Sequence, residues 1–149
     1  MWKILAAALA AIALAGCGDL NEARVPMADA AADGSGRQFL PPPPGKASLY
    51  VFRVGKPQPI IWTITAGRET LAQIGTTSWA RLEMPPGQVD LRCSGSMADT
   101  TSLLLNLRAG ETRYIEITEE HFRIICNMAE VPAATGQAGV LTGRRVREL

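Results

Sequence analysis

The chain carries one histidine, His121, so a catalytic triad or a histidine-based metal cluster would have to be built around it alone. It follows Glu119 and Glu120 at the start of an apolar run. A histidine beside acids at a strand entry reads more readily as a solvated turn residue than as a general base. Ser94-Gly95-Ser96 is not a G-x-S-x-G elbow, and no helix pattern follows to support one. Gly45-Lys46 lacks the upstream glycine of a phosphate-binding loop. Glu83 and Asp90 flank Pro85-Pro86-Gly87 and would face each other across a hairpin, a spacing open to paired-carboxylate chemistry but equally to plain surface charge. Cys93 and Cys126 have no C-x-x-C spacing, which makes a poor metal site. The expectation is a non-enzyme without cofactor or metal.

Contact is then the remaining mode of action, and the aromatic residues are its candidates. Trp62 shares parity with Ile60 and Ile64 and belongs in a core. Trp79 shares parity with Arg81 and Glu83, the polar side of its strand. A Trp79/Arg81 pair on that side would form a contact surface able to stack on a sugar ring or anchor a protein interface. The competing reading covers Trp79 with the N-terminal linker or the C-terminal tail. Tyr50 and Phe52 lie opposite Leu49 and Val51, so that strand is apolar on both faces and its outer side needs a cover.

The elements that would position these residues are short β-rich runs punctuated by Gly and Pro. Strands are expected near 48–54, 60–66, 69–74, 78–84, 88–93, 100–107, 112–118 and 121–129, with turns at Gly67-Arg68, Pro85-Pro86-Gly87 and Ala109-Gly110-Glu111. The expected fold is all-β, one antiparallel β-sandwich of seven to eight strands over residues 47–134, with 135–149 as a tail, either a late edge strand or a loose extension. Alternation turns Val89, Leu91 and Cys93 inward on one strand and Phe122, Ile124, Cys126 and Met128 inward on another. Residues 17–46, with the run Pro41 to Pro44, show no periodicity and read as a flexible spacer, disordered or transiently helical over 27–36.

At the N-terminus, Met1-Trp2-Lys3 precedes an apolar run from Ile4 to Leu14, too short to span a membrane and of the length of a secretory signal. Leu14-Ala15-Gly16-Cys17 closes it and resembles the lipobox of bacterial lipoproteins. The resemblance implies removal of 1–16, a diacylglyceryl group on Cys17 and attachment to a membrane. Gly18 after the cysteine implies the outer membrane with the domain facing the periplasm, while Asp19 keeps the inner membrane open. With Cys17 so assigned, Cys93 and Cys126 remain as an even pair in an oxidising compartment, either bridged or packed as two buried thiols.

Residues 46–140 also resemble a family of small bacterial lipoproteins with a PEGA-like β-sandwich domain. The residues that carry it are Ala47-Ser48-Leu49-Tyr50-Val51-Phe52-Arg53, Arg81-Leu82-Glu83-Met84-Pro85-Pro86-Gly87-Gln88 and Leu107-Arg108-Ala109-Gly110-Glu111-Thr112-Arg113-Tyr114-Ile115. That resemblance implies fold and address but no activity.

Lys and Arg number 15 against 14 Asp and Glu, and removing Lys3 with the signal leaves the charges balanced. A nucleic-acid binder would show a basic excess, so that class is excluded. The expected role is a structural or protein-interaction module of the cell envelope; the alternative is binding of envelope glycan or peptidoglycan. Arg144, Arg145 and Arg147 in the tail would add modest attraction to anionic head groups.

Overall fold

The computed structural model describes residues 25–55, 59–95, 100–119 and 124–149. Cys17, Ser96, Glu120, His121 and Phe122 lie outside them. The fold is β-rich. Eight strands fall close to the expected runs: β1 Ala47–Arg53, β2 Trp62–Ala66, β3 Glu69–Ile74, β4 Ser78–Met84, β5 Gly87–Ser94, β6 Thr101–Leu107, β7 Thr112–Glu119 and β8 Cys126–Val131. Three further elements complete the fold: helix α1 at Ala30–Gly36, where at most a transient helix was expected, helix α2 at Ala133–Thr142, which was not expected, and the two-residue strand β9 at Arg144–Arg145, the late edge strand that was one of two readings of the tail.

The strands form a five-stranded sheet in the order β8-β7-β1-β4-β9 and a four-stranded sheet in the order β3-β2-β5-β6. The four-stranded sheet is antiparallel throughout. The five-stranded one is mixed, because β1 pairs with β7 and β4 with β9 in parallel. The expectation of purely antiparallel pairing is corrected here. Gly67 does close the β2–β3 hairpin, with φ +59 where a Cβ would be strained. Pro85-Pro86-Gly87 and Ala109-Gly110-Glu111, by contrast, carry the chain from one sheet to the other. Turn chemistry forces a reversal in either case, and it is the inward residues that choose the sheet.

One core joins both sheets. Leu49, Val51, Ala80, Leu82, Ile115 and Ile117 of the five-stranded sheet pack in one cluster with Trp62, Ile64, Leu71, Ile74, Leu91 and Leu105 of the other. Cys93 on β5 and Cys126 on β8 are bonded across it, with Cα atoms 6.0 Å apart and both residues buried. Inward parity holds for Leu91 and Cys93 but fails at Ile124, which is 43% exposed ahead of β8.

The segments expected to be loose are built into the fold. Val25 is buried against the core, Met27 bridges to Val146, and Arg147 N donates to the Pro26 carbonyl at 2.8 Å. Leu149 N donates to the Leu71 carbonyl of β3 at 2.9 Å. The two ends of the described chain thus fill the gap between β4 and β3, and residues 135–149 are helix and strand, not a free tail. A spacer over 25–46 is likewise corrected. Asp29 caps α1 by accepting from Ala32 N at 2.7 Å, and the chain then returns to β1 through the proline run, where Arg81 Nη2 donates to the Leu40 carbonyl.

Candidate functional site

The outer face of the five-stranded sheet is where sequence parity placed Trp79 and Arg81. It carries Tyr50 and Phe52 of β1, Trp79 of β4 and Tyr114 of β7, which with Val140 of α2 form a second buried cluster. Tyr50 and Tyr114 stack with centroids 5.2 Å apart, and Trp79 lies 5.8 Å from Tyr50. Phe39 adds its ring 5.5 Å from Tyr50. It reaches that place with φ 51, a conformation a bulky residue holds only when its surroundings over-determine it.

Glycines let the helices approach this aromatic layer. Gly36 of α1 lies on the Trp79 indole; Gly136 and Gly139 of α2 lie on the rings of Tyr114 and Phe52. Tyr50 Oη donates to the Gly36 carbonyl at 2.8 Å. Burial pushes the Tyr50 phenol above its ordinary value, with the Arg81 guanidinium 5.6 Å from the ring pulling partly the other way.

Trp79 is therefore fully buried: the exposed Trp79/Arg81 contact surface is corrected, and the competing reading holds, since Gly36 of the N-terminal linker and Arg145 of the C-terminal tail lie on the ring. Parity named the face rightly; alternation along one strand carries no information about what packs on it. The Trp79 Nε1 has no hydrogen-bond partner among the described residues, a desolvation cost that the packing around the ring must outweigh. Arg81 is committed as well: its Nε sits 2.7 Å from Glu83 Oε1, its Nη2 donates to Ser48 Oγ at 3.2 Å, and its guanidinium covers Tyr50. Arg145 plays the same part over Trp79 at 5.6 Å, while its Nε donates to Glu148 at 3.0 Å.

Asp33 ties α1 down. Its carboxylate accepts from Arg37 Nε at 2.8 Å and from Arg145 N at 2.6 Å. Partial burial works to raise its pKa, but the Arg37 hydrogen bond, the Arg145 amide and the nearby guanidinium charges outweigh it and hold the carboxyl below the usual aspartate range. A folded value lowered in this way gives stability that is present above the unfolded value of about 3.9 and is lost as pH falls through the folded value. Acid titration followed by amide exchange at Ala32 and Arg145 should show α1 loosening below about pH 4. An Asp33→Asn chain should lack that acid step.

The paired-carboxylate arrangement is not formed. Glu83 accepts from Ser48 Oγ at 2.8 Å and pairs with Arg81, whereas Asp90 pairs with Arg92 on the other sheet. Among the described residues no three His, Cys, Asp or Glu side chains cluster to hold a metal ion.

Two arrangements had no signal in the sequence. Arg53, 4% exposed, forms an ion pair with Glu119, donates from Nη1 to the Ile60 carbonyl at 2.8 Å, and is shifted down by burial against the pull of that carboxylate. Glu119 Oε1 also accepts from Trp62 Nε1 at 2.9 Å, so one carboxylate joins β1, β2 and β7 at the same end of the molecule. Trp62→Phe should cost about 1.5–3 kcal/mol in urea unfolding, the range for a hydrogen bond to a charged group. The second arrangement is an open groove of about 430 Å³ bordered by Pro59, Ile61, Thr63, Gln73, Ser94 and Gly95, whose lining offers hydroxyls and an amide but no titratable group. Compared with known families and characterised proteins, the chain matches no family model and no curated protein.

Proposed function

We propose that this chain is a lipid-anchored, non-catalytic module of the bacterial cell envelope, attached through Cys17 and carrying its two sheets as a β-sandwich, similar to the PEGA-like lipoproteins. The observation that carries the reading is the cysteine arithmetic. The Cys93–Cys126 bridge consumes two of the three thiols and belongs in an oxidising compartment, which leaves Cys17 alone behind a short apolar leader. The outer-membrane, periplasm-facing address follows from the same leader and from Gly18. A structural or protein-interaction role fits a domain in which Glu83 is held by Ser48 and Arg81, and Glu119 by Arg53 and Trp62, so that these carboxylates serve its own packing. Glycan stacking on Trp79 has lost its support, since the ring lies under Gly36.

Growth with radiolabelled palmitate tests the anchor: label should enter the parent chain and be absent from Cys17→Ser. Equal labelling of both would remove Cys17 as the attachment point. Crosslinking in intact cells then tests the interaction role, with a discrete conjugate expected from the anchored chain; its absence would argue against a protein partner.

A further inference from the structure

The described chain begins beside one particular end of the molecule. Val25 packs its methyl groups on Gly75, in the turn joining β3 to β4. Val25 stands eight positions after Cys17. Eight residues span at most about 26–29 Å. The proline run lies beyond Val25 and lends the leash nothing. A domain of this size is itself roughly 30–35 Å across. An acylated Cys17 would therefore hold the Gly75 end close to the bilayer.

The strand registers define what else stands at that end. Arg53 pairs with Ser78, Trp62 with Ile74, Thr63 with Ser94 and Glu119 with Cys126. The ends of β1, β3, β5 and β7 and the starts of their partners thus come together there. α2 finishes at the same end, where Gly143 lies on the Thr77 backbone and Arg144 N donates to the Thr77 carbonyl at 3.1 Å.

Six large hydrophobic side chains are exposed among the described residues, and three of them belong to this end: Val54 at 37%, Ile124 at 43% and Leu141 at 52%. The others are Leu104 in mid-strand, Leu40 by Arg81 and Leu149 by Leu71. The opposite end is made of the Gly67-Arg68, Pro85-Gly87 and Arg108-Glu111 turns, and Leu149 lies toward it, lining a hollow with Glu69, Glu83 and Met84.

We infer that the end bearing Val54, Ile124 and Leu141 rests on the bilayer, with these three aliphatic side chains entering the head-group layer beside the lipid on Cys17. The inference rests on the anchored reading above. Acyl chains supply attachment, and a few aliphatic side chains at the boundary set orientation, since apolar area buried at the interface adds to the lipid's own partition. Arg144, exposed at the same end, suits anionic head groups. The opposite end would then point away from the membrane, with the outer face of the four-stranded sheet upright between the two ends, and these would be the surfaces a partner can reach.

The test uses the mature lipidated chain in phosphatidylethanolamine/phosphatidylglycerol vesicles. An environment-sensitive fluorophore is attached through Leu141→Cys at the near end or Arg68→Cys at the far end, with the Cys93–Cys126 bridge intact. Quenching by head-group spin-labelled lipid should be at least about threefold stronger for the probe at 141, given side chains only about 5–10 Å deep in the boundary. Equal quenching at both positions, with the chain still held on vesicles by its lipid, would overturn the inference and leave the anchor standing. A chain whose vesicle retention is unchanged in Cys17→Ser would overturn both.

Discussion

A Gly136→Val chain should unfold in urea at a midpoint roughly 2 M below the parent, which at a slope near 1.5 kcal/mol/M corresponds to about 3 kcal/mol. The cause is steric. A Cβ at Gly136 would fall on Tyr114 Cγ, Cβ and Cδ1, the root of a ring already stacked on Tyr50 and met edge-on by Phe39. Those atoms cannot swing aside as a side-chain tip would, so α2 must lift. Gly139 repeats the problem against Phe52. Helix propensity alone predicts the opposite sign for alanine, which is favoured over glycine by about 1 kcal/mol in a helix interior. Gly136→Ala and Gly139→Ala therefore separate the two effects: both should destabilise, by about 1–3 kcal/mol net. Gly34→Ala is the control, because nothing lies within 4 Å of its Cβ position, and it should be neutral or mildly stabilising. A Gly136→Ala chain more stable than the parent would show that α2 does not bear on the aromatic layer.

Removing the disulfide should have a comparable effect by a different route. The bridge joins positions 33 apart, for which the loop-entropy relation gives about 3.7 kcal/mol at 25 °C. For a domain of this size that corresponds to a melting temperature lower by roughly 10–15 °C in Cys93→Ala/Cys126→Ala. The bond also holds β8, an outer strand of one sheet, to β5 in the other, close to where Thr101 Oγ1 donates to the Cys126 carbonyl. Its loss should therefore speed amide exchange in β8 before β1, the central strand. Calorimetry with and without reductant measures the first effect and exchange the second. An unchanged melting temperature would make the bridge incidental.

The strands were legible because Gly and Pro mark their ends and inward residues alternate along them. Trp62, Leu91 and Cys93 fall where that alternation puts them. The need for a cover over Tyr50 and Phe52 was legible too, since a strand apolar on both faces cannot leave one in water. The segments that supply it over Trp79, linker and tail, were named as one of two readings; their helical form was not legible. α1 is seven residues of Ala, Gly, Ser and Asp, too short to hold as an isolated helix, and exists because Asp33, Gly36 and Arg37 each make a tertiary contact. α2 contains Gly136 and Gly139, which read locally as helix-weakening residues and act here as the flat surface on two aromatic rings. Trp79 shows the same limit: parity chose its face correctly, and contacts more than forty residues away in sequence decided its exposure. The change of sheet at Pro85-Pro86-Gly87, which separates Glu83 from Asp90, was equally hidden, because hairpin and crossover use the same turn residues.

Those corrections shift the weight of the functional reading. With the aromatic layer sealed and Glu83 and Asp90 on different sheets, the sequence feature left to explain is the thiol of Cys17 behind the apolar run Ile4 to Leu14.

Mass spectrometry of the N-terminal peptide of the chain isolated from membranes is the most direct test. The account predicts a peptide that begins at Cys17 and carries a diacylglyceryl group. A peptide that still includes residues 1–16, with an unmodified thiol at Cys17, would contradict it.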